Sequence, residues 1–284
     1  MLRRLLALNI LLTLAACAPE TREAPGDVDA GSAPPADAAA TPDSAFVDAG
    51  PLLPDAGPEQ YVVYVHTKDT LYTMDPTSFA LSLVGPFNAP GSDQITDLAV
   101  AKDGAIFVIS KTKLYRADAS DGHVTLVASL SSSPSAGNVG LTFLPGGDLL
   151  ATDKTGGVRS INPTTGTVTE HGTFSDGFTT AGDLVAVADG TMYAISDHGP
   201  GGAATFSNNW LIKVNPSNAM ATQVGQIGVG GVFGAAFING TVLVFTKLGD
   251  IYEVNPVTGV GTQKATTGIE FWGAGVSPLV PGVP

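Results

Sequence analysis

The strongest constraint on this chain is a period. From residue 59 onward, short runs of Val, Ile, Leu, Tyr and Phe alternate with polar residues and are separated by Gly, Pro, Asn and Asp. Alternation at period two, bounded by turn residues, predicts strands and hairpins and leaves no stretch that reads as a helix. One piece recurs five times: LYTMDPTS (71–78), LYRADASDG (114–122), VRSINPTTG (158–166), LIKVNPSNA (211–219) and IYEVNPVTG (251–259). Its turn-opening residues are Asp75, Asp118, Asn162, Asn215 and Asn255, spaced by 43, 44, 53 and 40 residues. Asp or Asn followed by Pro or Ala suits a tight turn, because the short side chain bonds its own backbone. A second hairpin lies ahead of four of these pieces, turning at Asp103-Gly104, Gly146-Gly147, Asp189-Gly190 and Asn239-Gly240.

Two hairpins per unit make four strands in about 43 residues, which is the size of a β-propeller blade. The first unit, residues 61–85, lacks its first strand, and FWGAGVSPL (271–279) resembles the first strand of the other units. Pairing the two ends closes a ring of five four-stranded blades, an all-β fold. These repeats resemble the broad superfamily that includes NHL and quinoprotein-like propellers. The resemblance covers residues 59–284 and implies a fold, because propellers host unrelated activities. No blade carries a clear WD dipeptide or kelch double-glycine signature.

The N-terminus has a different character. Arg3 and Arg4 precede 12 mostly apolar residues, 5–16, the layout of a signal-peptide core and too short to span a bilayer. Leu14-Ala15-Ala16-Cys17 resembles the bacterial lipobox, which implies cleavage before Cys17 and acylation of its thiol. The alternative is an A-x-A cleavage site at Ala16-Cys17-Ala18. Acyl chains on Cys17 would anchor the chain in a bilayer, at about 0.8 kcal/mol per buried CH₂. By resemblance to enterobacterial sorting, Ala18 rather than Asp after the cysteine favours the outer membrane or cell surface. Residues 18–58 are mostly Ala, Pro, Asp and Gly, and too poor in apolar side chains to offset ordering entropy. They read as a disordered tether with a root-mean-square span of roughly 35 Å.

Composition narrows the partners. The chain has 284 residues and a formal charge of −13, from 13 Lys and Arg against 26 Asp and Glu. Nucleic acid is excluded as a partner, since phosphate binding needs clustered Lys and Arg. The single cysteine, Cys17, precludes an internal disulfide and a Cys-rich zinc site. No G-x-S-x-G, H-E-x-x-H, P-loop or dinucleotide fingerprint occurs.

Candidate functional residues follow from blade geometry. The loops between the second and third strands share one face of the ring: HTKDT (66–70), SKTK (110–113), DKTGG (153–157), DHGPGGAATFSNNW (197–210) and TKLGD (246–250). Lys68, Lys111, Lys154 and Lys247 would form a cationic rim attracting an anionic ligand or an anionic partner surface. The loop of blade four is about ten residues longer than its neighbours. It carries Asp197, His198, Asn208 and Asn209, and long loops on a rigid scaffold are where binding residues gather. His198 beside Asp197 could serve as a base or metal ligand, or simply as a surface pair. Trp210 opens the following strand and is expected to pack beneath the loop.

Asp97 and Asp183 occupy one register position, at the start of the innermost strand of blades two and four; Gly140, Gly234 and Gly273 fill it elsewhere. With Glu270, these carboxylates are weak candidates for Ca²⁺, or else acceptors for backbone N–H groups. Gluconolactonase-type propellers, similar at superfamily level, use a Glu/Asn/Asp metal site here, but no matching Asn is expected on the inner strands. The sequence therefore reads as a membrane-tethered envelope lipoprotein whose propeller is a binding or scaffold module. Propeller lipoproteins that are subunits of envelope assembly machinery are a precedent by resemblance, implying a protein partner. The alternatives are a metal-dependent hydrolase, lactonase or lyase, and a sensor of a soluble small molecule.

Overall fold

A computed structural model describes residues 61–282, and the expected signal peptide, Cys17 and the tether lie outside them. The chain opens with β1 (Val63–His66), β2 (Thr70–Met74) and β3 (Leu81–Pro86). Blade two is β4 (Asp97–Val100), β5 (Ile106–Ile109), β6 (Lys113–Ala117) and β7 (Val124–Ser129). Blade three is β8 (Asn138–Phe143), β9 (Leu149–Asp153), β10 (Gly157–Ile161) and β11 (Val168–Thr173). Blade four is β12 (Leu184–Ala186), β13 (Met192–Ser196), β14 (Trp210–Val214) and β15 (Ala221–Gln226). Blade five is β16 (Val232–Ile238), β17 (Thr241–Thr246), β18 (Asp250–Val254) and β19 (Gly261–Thr266). The last strand, β20 (Gly273–Gly275), returns to pair with β1.

Each blade is a four-stranded antiparallel sheet, and blade one has the order β20-β1-β2-β3. The expected five-bladed propeller, closed by strands from both chain ends, is the observed architecture. Inner strands β20, β4, β8, β12 and β16 pack on one another around the axis. Burial follows position: β4, β9, β12, β13 and β20 are buried throughout, whereas outer strands such as β11 alternate toward solvent. Every blade carries a register shift between its third and fourth strands, at Leu71/Tyr72, Leu114/Tyr115, Val158/Arg159, Leu211/Ile212 and Ile251/Tyr252. A bulge at this place adds twist to the outer edge of each blade.

The turns behave as their residues demand. Asn239 and Gly240 both have positive φ, 51° and 76°, the two-residue hairpin geometry that suits right-twisted strands. At the outer hairpins the side chain of the first residue accepts from the amides two or three positions on. Asp75 takes Thr77 and Ser78, Asn162 takes Thr164 and Thr165, and Asn255 takes Val257 and Thr258, all at 2.7–3.0 Å. These turns are structural. Blade three also holds a buried ion pair, Arg159 to Asp153, with the guanidinium reaching Asn138 at 3.4 Å.

Ring closure depends on the C-terminal segment. Phe271 is fully buried and meets Phe245 edge-on at 5.2 Å between centroids, so it joins blade five to the strand that completes blade one. Phe271→Ala is expected to lower the unfolding free energy by about 3–5 kcal/mol in urea titration, the range for truncating a buried Phe. A loss below about 1 kcal/mol would show that closure does not rest on this side chain.

Candidate functional site

The starts of the inner strands and the loops between second and third strands share one face, and a cavity of about 630 Å³ opens there. Its lining comes from four blades. Lys111 and Thr112 belong to the blade-two loop, Lys154 to that of blade three and Lys247 to that of blade five. The wall below is Thr96, Val139, Phe233 and Trp272. Each of these four stands one residue before the register position held by Asp97, Gly140, Gly234 and Gly273. That signal was available in the repeat, but the aromatic pair was not singled out.

The charges at the mouth are unequally committed. Asp93 accepts from Lys113 at 2.9 Å and from the Tyr115 hydroxyl. Those hydrogen bonds hold its carboxyl below the usual range, and burial with the neighbouring Asp93 charge raises the Tyr115 phenol. Glu270 takes Lys247 at 3.3 Å and the Trp272 indole N–H at 3.1 Å. Lys247 also lies over the Phe233 ring, 5.9 Å from its centroid. Lys111 and Lys154 are exposed and make no ion pair among the described residues.

Beneath the mouth the channel is filled by two acids. Asp97 and Asp183 are both fully buried. Asp97 Oδ2, in blade two, accepts from Leu141 N of blade three at 2.5 Å. Asp183, preceding β12 of blade four, accepts from Leu184 N at 2.6 Å, from Ala235 N of blade five at 2.8 Å and from Ala274 N of blade one at 3.2 Å. The two carboxyls lie close enough to influence each other's ionisation, and Asp97 Oδ1 meets no hydrogen-bond donor. Together they connect all five inner strands.

Two carboxylates in one buried site cannot both ionise cheaply. Burial, then the Asp183 charge, pushes Asp97 well above the carboxylate range. Burial raises Asp183 to about 8, and the neighbouring Asp97 and the three amides oppose that rise. Asp183 takes three amide donors and Asp97 only one, with Asp97 Oδ1 left unpartnered, so Asp97 is the better placed of the two to hold a proton. Glycine at position 273 makes the room, since a methyl group there would overlap Asp97 Oδ1 and His66 Nε2. His66 is fully buried, and its Nδ1 donates to Thr67 O at 2.7 Å, leaving Nε2 as a bare acceptor. Burial lowers its pKa to about 4, so the ring is neutral.

The other expected residues lie elsewhere. Lys68 is exposed beside a separate cleft of about 270 Å³ with Asp69, Phe87 and Asn88. In the long loop, Thr179 Oγ1 bonds Asp197 and sits 2.9 Å from His198 Nδ1, while His198 packs 5.9 Å from Phe206. Asn208 accepts from Gly228 N at 2.7 Å; Asn209 is buried and accepts from Val232 N at 3.0 Å. Gly199 leaves no room for a side chain against the Trp210 indole, so that ring packs beneath the loop. None of these residues lines the mouth cavity. Asp97 and Asp183 are brought together, but Glu270 stands half-exposed at the rim. No group of three or more His, Cys, Asp or Glu placed to hold a metal ion occurs among the described residues. One expectation is corrected: an Asn does begin an inner strand. Asn138 opens β8, but its amide is taken by Ser110 O, Lys111 O and Arg159.

No protein-family model and no curated protein matches the sequence. Among solved structures, the chain is similar to a symmetrical protein described for its de novo evolutionary emergence under folding constraints. That match has 14% identity and a TM-score of 0.52 over 78% of this chain and 100% of the other. Two proteins of unknown function are also similar. The one from Bacteroides caccae has 13% identity and a TM-score of 0.45, covering 74% of each chain. The one from Bacteroides thetaiotaomicron has 17% identity and a TM-score of 0.48, covering 64% of this chain and 53% of the other. At these identities the likeness speaks to fold alone. The chain is a five-bladed β-propeller.

The acid pair gives a pH signature. A carboxyl raised on folding keeps a proton that the unfolded chain has released, so its contribution to stability falls as pH rises from about 3.8 to about 8 for Asp183. His66 has the opposite sign, its contribution being lost as pH falls from 6.5 toward about 4. Between pH 6.5 and 8 only the acids act. Asp97→Asn is expected to make the decline across that window shallower by about 1.4 kcal/mol per pH unit, in urea titrations at both ends. Equal slopes in the two proteins would contradict a raised Asp97 carboxyl.

Proposed function

We propose that this chain is a lipid-anchored protein of the bacterial cell envelope whose propeller is a binding module, with the channel mouth as its ligand site. The observation that carries the reading is the cavity of about 630 Å³, lined by loops from different blades with convergent lysines and aromatic walls. That volume falls in the range of small-molecule sites, about 300–1,000 Å³. The anchor rests on the Leu14-Ala15-Ala16-Cys17 resemblance, and the following 41 residues would let the propeller stand away from the bilayer. Placement in the outer membrane or at the cell surface, and service to a protein partner, belong to the same proposal.

The hydrolase, lactonase or lyase alternative is the weaker reading. It draws on Asp97 and Asp183, which are fully buried, and three of their four oxygens already accept backbone amides.

Two measurements test the two halves. Cys17→Ala is expected to move the protein from the membrane fraction to the soluble fraction, and mass spectrometry of the wild-type N-terminus should find diacylglyceryl-cysteine. An unmodified Cys17, or a wild-type N-terminus at Ala18 or beyond, would remove the anchor. For the site, Ala136→Trp places an indole in the mouth and is expected to reduce affinity for captured ligands at least about tenfold, or about 1.4 kcal/mol. Unchanged binding would move the site elsewhere.

A further inference from the structure

The mouth cavity has two unlike sides, and the difference defines a ligand. Every carboxylate in its lining is already engaged: Asp93 by Lys113 and Tyr115, Glu270 by Lys247 and Trp272. What remains is the positive charge of Lys111 and Lys154, on adjacent blades, with no ion pair among the described residues. This surplus is local, since the whole chain carries −13. Partly enclosed, low-dielectric walls strengthen its field at the cavity. The remaining wall is aromatic. Phe233 and Trp272 are half-buried in that lining, and the Trp272 indole N–H is held by Glu270. Phe271 backs that wall from within the core.

We propose that the cavity takes a small, flat, amphiphilic anion. Its carboxylate, phosphate or sulfonate group is bound by Lys111 and Lys154, and its apolar ring lies against Phe233 and Trp272. This deepens the binding-module reading and rests on it. A concave site of this size suits a compact ligand better than an anionic protein surface, which would engage Lys68 and the outer rim as well. Loss of these charge-assisted contacts should cost at least about tenfold in affinity, or about 1.4 kcal/mol.

The test uses two dyes with one ring system, anilinonaphthalene sulfonate and the uncharged phenylnaphthylamine, titrated by fluorescence into the full chain carrying Cys17→Ser. The expected result is at least about tenfold tighter binding of the sulfonate at low salt. Lys111→Gln with Lys154→Gln should abolish that margin while leaving the neutral dye unaffected, and Ala136→Trp should weaken both dyes. Circular dichroism of each variant shows that the fold is kept. Equal binding of the two dyes, both weakened by Ala136→Trp, would overturn the anionic class and leave the binding module standing. A sulfonate preference that survives loss of both lysines would likewise overturn the class. Dye binding indifferent to Ala136→Trp, or no binding of either dye, would overturn the class and the site together.

Discussion

The centre of this protein is held by two buried carboxyls that gather the backbone amides of the inner strands. A five-bladed ring brings five inner strands to a narrow axis, where side chains must fill space and satisfy exposed backbone amides. Asp97 and Asp183 do both. Their oxygens accept amides from blades three, four, five and one. Desolvation alone would make two such acids intolerable as charges. Keeping one of them protonated removes the repulsion between them. Glycine at position 273 leaves room for Asp97, since a side chain there would overlap its Oδ1.

The hub shapes what the molecule can do at its surface. With the axis filled, access from the mouth ends at Thr96, Val139, Phe233 and Trp272. The open space at this face is a bowl whose rim loops differ from blade to blade. The charges follow the same division. Acids at the mouth are neutralised by named partners, and two lysines are left over. The buried Arg159–Asp153 pair belongs to the scaffold, with Asn138 tying it to the start of β8. The mouth is built from departures from the repeat, and the core from adherence to it.

Much of this was legible before any coordinates. Asx turns and Asn-Gly hairpins are local chemistry, so the 43-residue period fixed the blade count, and the orphan segment near Phe271 revealed how the ring closes. The shared register of Asp97, Asp183 and three glycines was also visible. Of its two readings, weak calcium ligands or acceptors for backbone amides, the second is what the structure holds, while the coupling of the two acids depends on blades two and four meeting at the axis. His66 was hidden for a similar reason. It sits at the edge of a polar loop in the sequence, and only the close approach of Gly273 shows that its ring turns inward. The long loop of blade four stands out by its length, yet its polar groups bond Thr179, Gly228 and Val232 rather than facing the cavity.

The packing of the propeller axis depends on the protonation of its two acids. Carbon-13 NMR titration of the aspartate carboxyls, assigned with Asp97→Asn and Asp183→Asn variants, measures it directly. The prediction is that Asp97 shows no ionisation through neutral pH and that Asp183 titrates near 8, far above the solvent-exposed aspartates. Two carboxyls that both ionise near 3.8 would mean that the axis carries two charges, and the description of a protonated hub would be wrong.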